Sequence, residues 1–200
     1  MTVNISKGKP FAPAYLAIAP NNRMPEIVDH APADGGAPLA LFESGEILLS
    51  LAEKSARFLP AELRGRHETL QWLFWQTGGP GTMAGQNHPF AHDAPDKLPH
   101  AIERYVKETQ RLYGALERRL EGRDFISGDC SIADMAAYPW CLLWPRQAIE
   151  LAGFPNIGRW LERIGARPAT QRAYARGKAL NTVPTITEDS KQLLFGQGRR

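Results

Sequence analysis

The sequence predicts a small α/β unit followed by an all-helical domain. Three observations carry that prediction. Residues 1–43 are rich in Pro, Gly and Asn and hold only short apolar runs, residues 44–178 show long stretches of helical periodicity, and Ser131-Ile132-Ala133-Asp134 has the form of a capping box in the middle of the second region. The 200 residues are 43% hydrophobic and 22% charged, enough apolar material for one large domain or two small ones and outside the composition of a disordered chain.

In chain order, Glu26-Ile27-Val28-Asp29 and Pro38-Leu39-Ala40-Leu41 flank Pro32-Ala33-Asp34-Gly35-Gly36, which reads as two short strands joined by a turn. Ser44, a favoured N-cap residue, opens a helix to Lys54 in which Ile47, Leu48 and Leu51 recur at helical spacing. That helix is expected to cover one face of the hairpin. A second helix, Ala61 to Thr77, is expected to turn Leu63, Leu70, Leu73 and Phe74 to a core and to break at Gly78-Gly79-Pro80-Gly81, read as a turn. A third, Lys97 to Glu121, carries Ile102, Tyr105, Thr109, Leu112, Leu116 and Leu120 along one stripe. These two are expected to pair antiparallel, with 81–95 as their connection. A helix then starts at Ser131, whose hydroxyl and the Asp134 carboxylate can satisfy each other's free backbone N–H groups, and the apolar run Met135 to Trp144 makes it central. Asn156 to Ala166 and Ala169 to Gly177 complete the helices, and a polar tail follows.

The charge balance is nearly even, 24 basic against 21 acidic residues for a net +3, which argues against a nucleic-acid partner. The two cysteines, Cys130 and Cys141, form no C-x-x-C motif, and the N-terminus has no secretory pattern, so the expected setting is a reduced cytoplasm. The apolar stretch Tyr138 to Trp144 is far short of the roughly 18 residues that span a bilayer, so no membrane partner is expected.

Several separate motifs point to one family. Pro20-Asn21-Asn22-Arg23-Met24-Pro25, Asp29-His30, Phe42-Glu43-Ser44-Gly45, Leu70-Gln71-Trp72-Leu73-Phe74-Trp75-Gln76, Gly85-Gln86-Asn87-His88, Ala101-Ile102-Glu103-Arg104-Tyr105, Ser131-Ile132-Ala133-Asp134 and Arg167-Pro168-Ala169-Thr170 together resemble the glutathione transferase superfamily, and within it the bacterial nu-class disulfide-bond oxidoreductases. The resemblance covers roughly residues 3 to 175. It implies a truncated thioredoxin-like α/β unit over 1–57, an all-α domain of glutathione transferase type over 61–178 and a polar tail over 179–200. Residues 1–6 resemble the end of the family's second strand, so the first strand, the sulfur-contacting loop and the first helix have no counterpart in this sequence, and no catalytic residue is assigned. Turnover of this chain is accordingly expected to lie below that of a form extended at its N-terminus.

Glutathione presents a γ-glutamyl α-carboxylate and α-amine, an extended cysteinyl unit and a glycine carboxylate. It therefore needs an anion site, a counter-charge and a strand-like edge. Ser44 at a helix start can take the α-carboxylate through its hydroxyl and free backbone N–H groups, aided by the helix dipole. Glu43 can hold the α-amine. The resemblance implies a cis Met24-Pro25 bond, with the Met24 backbone pairing to the cysteinyl unit like an added strand. Arg23 is a candidate for a glutathione carboxylate, and the resemblance implies that Arg104 reaches toward glutathione from the helical region, against the alternative of an ion pair beside Glu103. Gln86, Asn87 and His88 are candidates for the pocket of the second substrate, a small molecule or a disulfide.

Other patterns weigh less. His88 and His92 have i, i+4 spacing but no third ligand, so no metal is expected. The tryptophans, Trp72, Trp75, Trp140, Trp144 and Trp160, read as core, and neither cysteine has a thiolate-stabilising neighbourhood. The expected activity is glutathione-dependent thiol:disulfide exchange or glutathione transfer. The alternatives are a non-catalytic glutathione-binding scaffold and the product of a misplaced gene start. The resemblance also implies a homodimer, with the second and third helices offering the faces for it.

Overall fold

The structure is a computed structural model that describes residue 3, residues 7–94 and residues 96–180. The strand end expected at 1–6, apart from Val3, and the tail beyond 180 lie outside the described residues. The chain divides into two compact units, one of residues 1–47 with 168–200 and one of residues 48–167.

In the first unit, α1 (Pro13–Leu16) is a single turn that buries Tyr15, and β1 (Glu26–Asp29) pairs antiparallel with β2 (Leu39–Phe42), Glu26 opposite Phe42 and Asp29 opposite Leu39. The expected hairpin forms. Its connection is tied by the Gly35 N–H to the Pro32 carbonyl at 3.0 Å, with Gly35 at φ 69, and the Asp34 carboxylate accepts the Gly36 N–H at 2.9 Å, an Asx turn. α2 (Ser44–Ser55) starts directly after β2. α8 (Pro168–Leu180) buries no side chain among the described residues.

The second unit is helical throughout: α3 (Leu63–Gly78), α4 (Pro80–His88), α5 (Pro99–Arg119), α6 (Ile132–Cys141) and α7 (Pro155–Gly165). From Leu48 onward α2 also belongs to it: Leu48, Leu49 and Ala52 pack with Leu73 of α3 and Ile132 of α6. Ile47, also buried, falls in the first unit with the hairpin. Leu51, expected in the buried stripe, is exposed, because Leu48, Leu49 and Ala52 define the inward face. The main core gathers Leu116 and Leu120, Ala137 and Tyr138, and Ile157, Trp160 and Ile164. Trp160 is buried, and Trp72, Trp75 and Trp144 pack partly buried against the same core.

Three expectations for this unit need correction. Gly78-Gly79-Pro80-Gly81 is a junction between two helices and not a plain turn, and 80–93 is helical where a connecting loop was expected: α4 runs straight into a π-helical turn, Pro89–Asp93. Pro80 stands at the first position of α4, where a missing N–H is harmless and φ is already set. Gly79 allows the close approach, since a Cβ there would stand 2.9 Å from the Trp75 carbonyl oxygen and 3.0 Å from Leu112 Cδ2. As a result α3 packs chiefly on α6 and α4 packs on α5, where α3 and α5 had been expected to pair. An Arg119–Glu68 ion pair still ties α5 to α3. Finally, Leu63 and Phe74 are 70% and 66% exposed. Glu62 caps α3 by accepting the Arg64 and Gly65 N–H groups at 2.9 and 2.5 Å, and this leaves Leu63 on the outer first turn. The buried face runs through Thr69, Leu73 and Gln76, and Phe74 lies one residue beyond it.

The capping box forms as expected. Ser131 N–H donates to Asp134 Oδ2 at 2.9 Å, and the same carboxylate gathers the Ser131 hydroxyl, the Ile126 N–H and the Trp160 indole N–H, each at 2.9 Å. α7 is capped from a neighbouring helix: Glu117 of α5 accepts the Asn156 and Ile157 N–H groups, both at 3.0 Å.

Candidate functional site

In the first unit the strand register brings the site candidates to one end of the sheet. Because Glu26 faces Phe42, the residues just outside the ladder, Met24-Pro25 before β1 and Glu43-Ser44 after β2, are neighbours. The Met24-Pro25 peptide is cis. Met24 is exposed, as are Arg23, Glu43 and Ser44.

Glu43 has φ 69, a left-handed conformation that residues other than Gly, Asn and Asp seldom adopt. Its carbonyl accepts the Ile47 N–H at 3.0 Å, so Glu43 is the N-cap and Ser44 the first helical residue, one position further in than expected. Ser44 therefore sits where the backbone N–H groups have no intrahelical partner, at the positive end of the helix dipole. The Glu43 carboxylate receives the Asn21 side-chain N–H at 3.3 Å, which fixes it over the Pro20–Pro25 loop. A second tie comes from α1: the Tyr15 hydroxyl donates to the Glu26 carboxylate and lies 3.2 Å from the Arg23 carbonyl. Burial, with the Glu26 carboxylate, pushes Tyr15 up to about 12, so it remains a donor. Tyr15, Asn21 and Glu26 were not among the site candidates read from the sequence. No local pattern links residues separated by a loop, and only the fold brings them together.

The remaining candidates fall in the second unit. Arg104 on α5 has a side chain 63% exposed and pairs with Glu108 at 3.6 Å, while Glu103 pairs with Lys107. Gln86, Asn87 and His88 lie on the last turn of α4, not in a loop. Gln86 is exposed, whereas Asn87 is fully buried, its side-chain N–H donating to the Gln147 carbonyl at 2.9 Å. His88 is half-buried and lines a cavity of about 230 Å³ with Trp140, Leu143 and Arg146. The His88 and His92 rings are 4.9 Å apart, but His92 Nε2 is held by the Arg146 carbonyl at 2.8 Å. Among the described residues no three metal-ligating side chains gather.

Both cysteines are free. Burial, then the nearby Asp134 carboxylate, raises Cys130 to about 11, and burial raises Cys141 to about 12. Neither thiol is a nucleophile near neutral pH. No helix among the described residues is long and apolar enough to cross a membrane.

What the first unit offers is a helix start with free N–H groups, a carboxylate beside it and an exposed backbone segment at a cis-proline. An anion, an amine and an extended peptide match these in turn. The comparisons with known proteins agree in kind. The family described as glutathione S-transferase, C-terminal domain, matches residues 83–168. The disulfide-bond oxidoreductase YfcG of Escherichia coli (strain K12) is 56% identical over 177 residues, 88% of this chain and 82% of that protein. A glutathione transferase of Burkholderia graminis, solved with two glutathione molecules bound per subunit, superposes with a TM-score of 0.80 at 40% identity, over 85% of this chain and 74% of that one. A glutathione transferase of Pseudomonas putida, solved with one glutathione disulfide bound per subunit, gives a TM-score of 0.81 at 36% identity, over 92% of this chain and 80% of that one. Identity at this level over most of both chains, on a helix-plus-hairpin scaffold with these termini at one sheet end, places the chain in the glutathione S-transferase family.

Proposed function

We propose that the chain binds glutathione and glutathione disulfide and serves glutathione-dependent thiol:disulfide exchange, or transfer of the glutathione thiol. The observation that carries the reading is the meeting of Glu43-Ser44 and Met24-Pro25 at one end of the two-stranded sheet. Ser44 and the first N–H groups of α2 take the γ-glutamyl α-carboxylate, and Glu43 takes the α-amine. The Met24 backbone, presented before Pro25, pairs with the cysteinyl unit. Arg23 and Arg104 serve glutathione carboxylates, while Gln86, Asn87 and His88 belong to the side of the second substrate, with Asn87 holding that turn in place from within the core.

The sulfur chemistry belongs to glutathione. Its thiolate attacks one sulfur of a substrate disulfide, a new S–S bond forms as the old one breaks, and the departing thiolate takes a proton from water. A second glutathione resolves the mixed disulfide in the same way. The raised Cys130 and Cys141 fit a protein that contributes no thiol of its own. Two free, buried or half-buried thiols also suit a reduced cytoplasmic setting.

Calorimetric titration with glutathione tests the reading. Ser44→Ala removes a hydrogen bond to a charged group and is expected to weaken binding by about 1 kcal/mol or more, roughly fivefold or greater. Unchanged affinity would take Ser44 out of the site, and no binding by the parent chain would end the proposal. The chain is further proposed to form a homodimer through α3 and α5, since Leu63 and Phe74 stay exposed on α3. Light scattering at micromolar concentration is expected to give twice the chain mass, and a clean monomer would count against it.

A further inference from the structure

We propose that the helical unit carries a separate binding site for a small, flat, apolar anion of the aryl carboxylate class, in the cavity between the last turn of α4 and the chain that follows α6. The cavity of about 230 Å³ is lined entirely by residues of the helical unit. It lies below the roughly 300 Å³ at which drug-sized ligand pockets begin, so it suits one ring with a short substituent and excludes a tripeptide.

Its walls say what the ring meets. Gly85 leaves the six-membered ring of Trp140 uncovered, since a Cβ there would stand 3.4 Å from Cη2 and 3.7 Å from Cζ3. Ala84, Pro89 and Leu143 complete an apolar slot around that indole. Gln147 also borders the cavity, but both ends of its amide are engaged: the N–H donates to the Trp140 carbonyl at 2.8 Å, and the oxygen accepts the Tyr113 hydroxyl at 2.8 Å. These two bonds hold it in place as a fixed wall of the slot.

The charge at the mouth decides the class. Among the described residues the lining includes Arg146 and His88 and no carboxylate. Arg146 is exposed, and among the described residues no ion pair engages its guanidinium. Its backbone is anchored, because its carbonyl holds His92 Nε2 at 2.8 Å, so the side chain projects from a fixed point. A guanidinium presents a planar fork that matches a carboxylate with two parallel hydrogen bonds. An aromatic ring in the slot and a carboxylate at Arg146 satisfy both halves of the cavity at once. None of these residues is among those assigned above to glutathione, His88 is shared with the side of the second substrate, and the inference does not depend on glutathione binding.

The test uses the full chain without glutathione and two probes of similar shape, 4-nitrobenzoate and neutral nitrobenzene, titrated by calorimetry. The carboxylate is expected to bind at least about tenfold more tightly than the neutral ring. Arg146→Gln should reduce that ratio to about twofold or less while leaving nitrobenzene nearly unchanged. Gly85→Leu should fill the slot and abolish binding of both probes, with an unchanged circular dichroism spectrum confirming that the variant folds. Equal affinity for the two probes, or a ratio that survives Arg146→Gln, would overturn the anion class. Binding that persists in folded Gly85→Leu would overturn the location.

Discussion

Replacing Asp134 with alanine is expected to destabilise the helical unit by about 3–5 kcal/mol, a large share of the roughly 5–15 kcal/mol that holds a typical domain. The carboxylate is fully buried and accepts from four donors: the Ser131 N–H and hydroxyl, the Ile126 N–H and the Trp160 indole. Alanine removes the acceptor and leaves two backbone donors and an indole N–H in an apolar surround, each with a desolvation penalty of about 1–3 kcal/mol. The loss also spreads beyond one helix. Through this single side chain the start of α6, the turn before it and α7 are fixed to one another. Asp134→Asn keeps the volume and one acceptor oxygen and should recover part of the loss. Urea denaturation followed by far-UV circular dichroism measures both variants, and a midpoint for Asp134→Ala equal to that of the parent would show that the carboxylate is not the organising acceptor.

At Glu43 the expected effects on stability and on binding point in opposite directions. The residue holds φ 69, which disfavours an L side chain by about 1–2 kcal/mol. Glycine adopts that conformation freely, although its more flexible unfolded chain offsets roughly 0.5–1 kcal/mol of the gain. Glu43→Gly is therefore expected to match the parent in stability or exceed it by up to about 1 kcal/mol. Glutathione binding should nevertheless fall by about tenfold or more, because the carboxylate proposed to hold the α-amine is gone. Thermal denaturation and calorimetry on the same sample separate the two quantities. A variant that loses stability and binding together would mean that Glu43 serves the fold, and one that keeps its affinity would remove the α-amine role.

The elements most legible in the sequence were those whose signals are local. Ser131-Ile132-Ala133-Asp134 states a helix start within four positions, and the turn residues between two β-favouring runs state a hairpin. α4 was missed because Gly-Gly-Pro-Gly carries the same letters whether the chain stops or starts a helix there. The difference lies in Leu112, which comes within 3.0 Å of where a Gly79 Cβ would be, and that proximity belongs to the packed unit. Leu63, Phe74 and Leu51 were misplaced for a related reason. Periodicity identifies an apolar stripe, but the neighbours decide which edge of the stripe is covered.

The candidate site divides along the same line. Phe42-Glu43-Ser44-Gly45 and Met24-Pro25 determine by themselves that a helix opens after a strand and that a proline precedes another, since those preferences reside in individual backbones. That Glu43 takes a left-handed φ, that Asn21 reaches its carboxylate and that Tyr15 clasps the Arg23 loop were decided by the tertiary structure. So was the burial of Asn87, which a surface-looking Gln-Asn-His run does not announce. Hydrogen bonds between residues far apart in sequence form only once the core has set the distance between them, and a one-dimensional pattern contains no such distance.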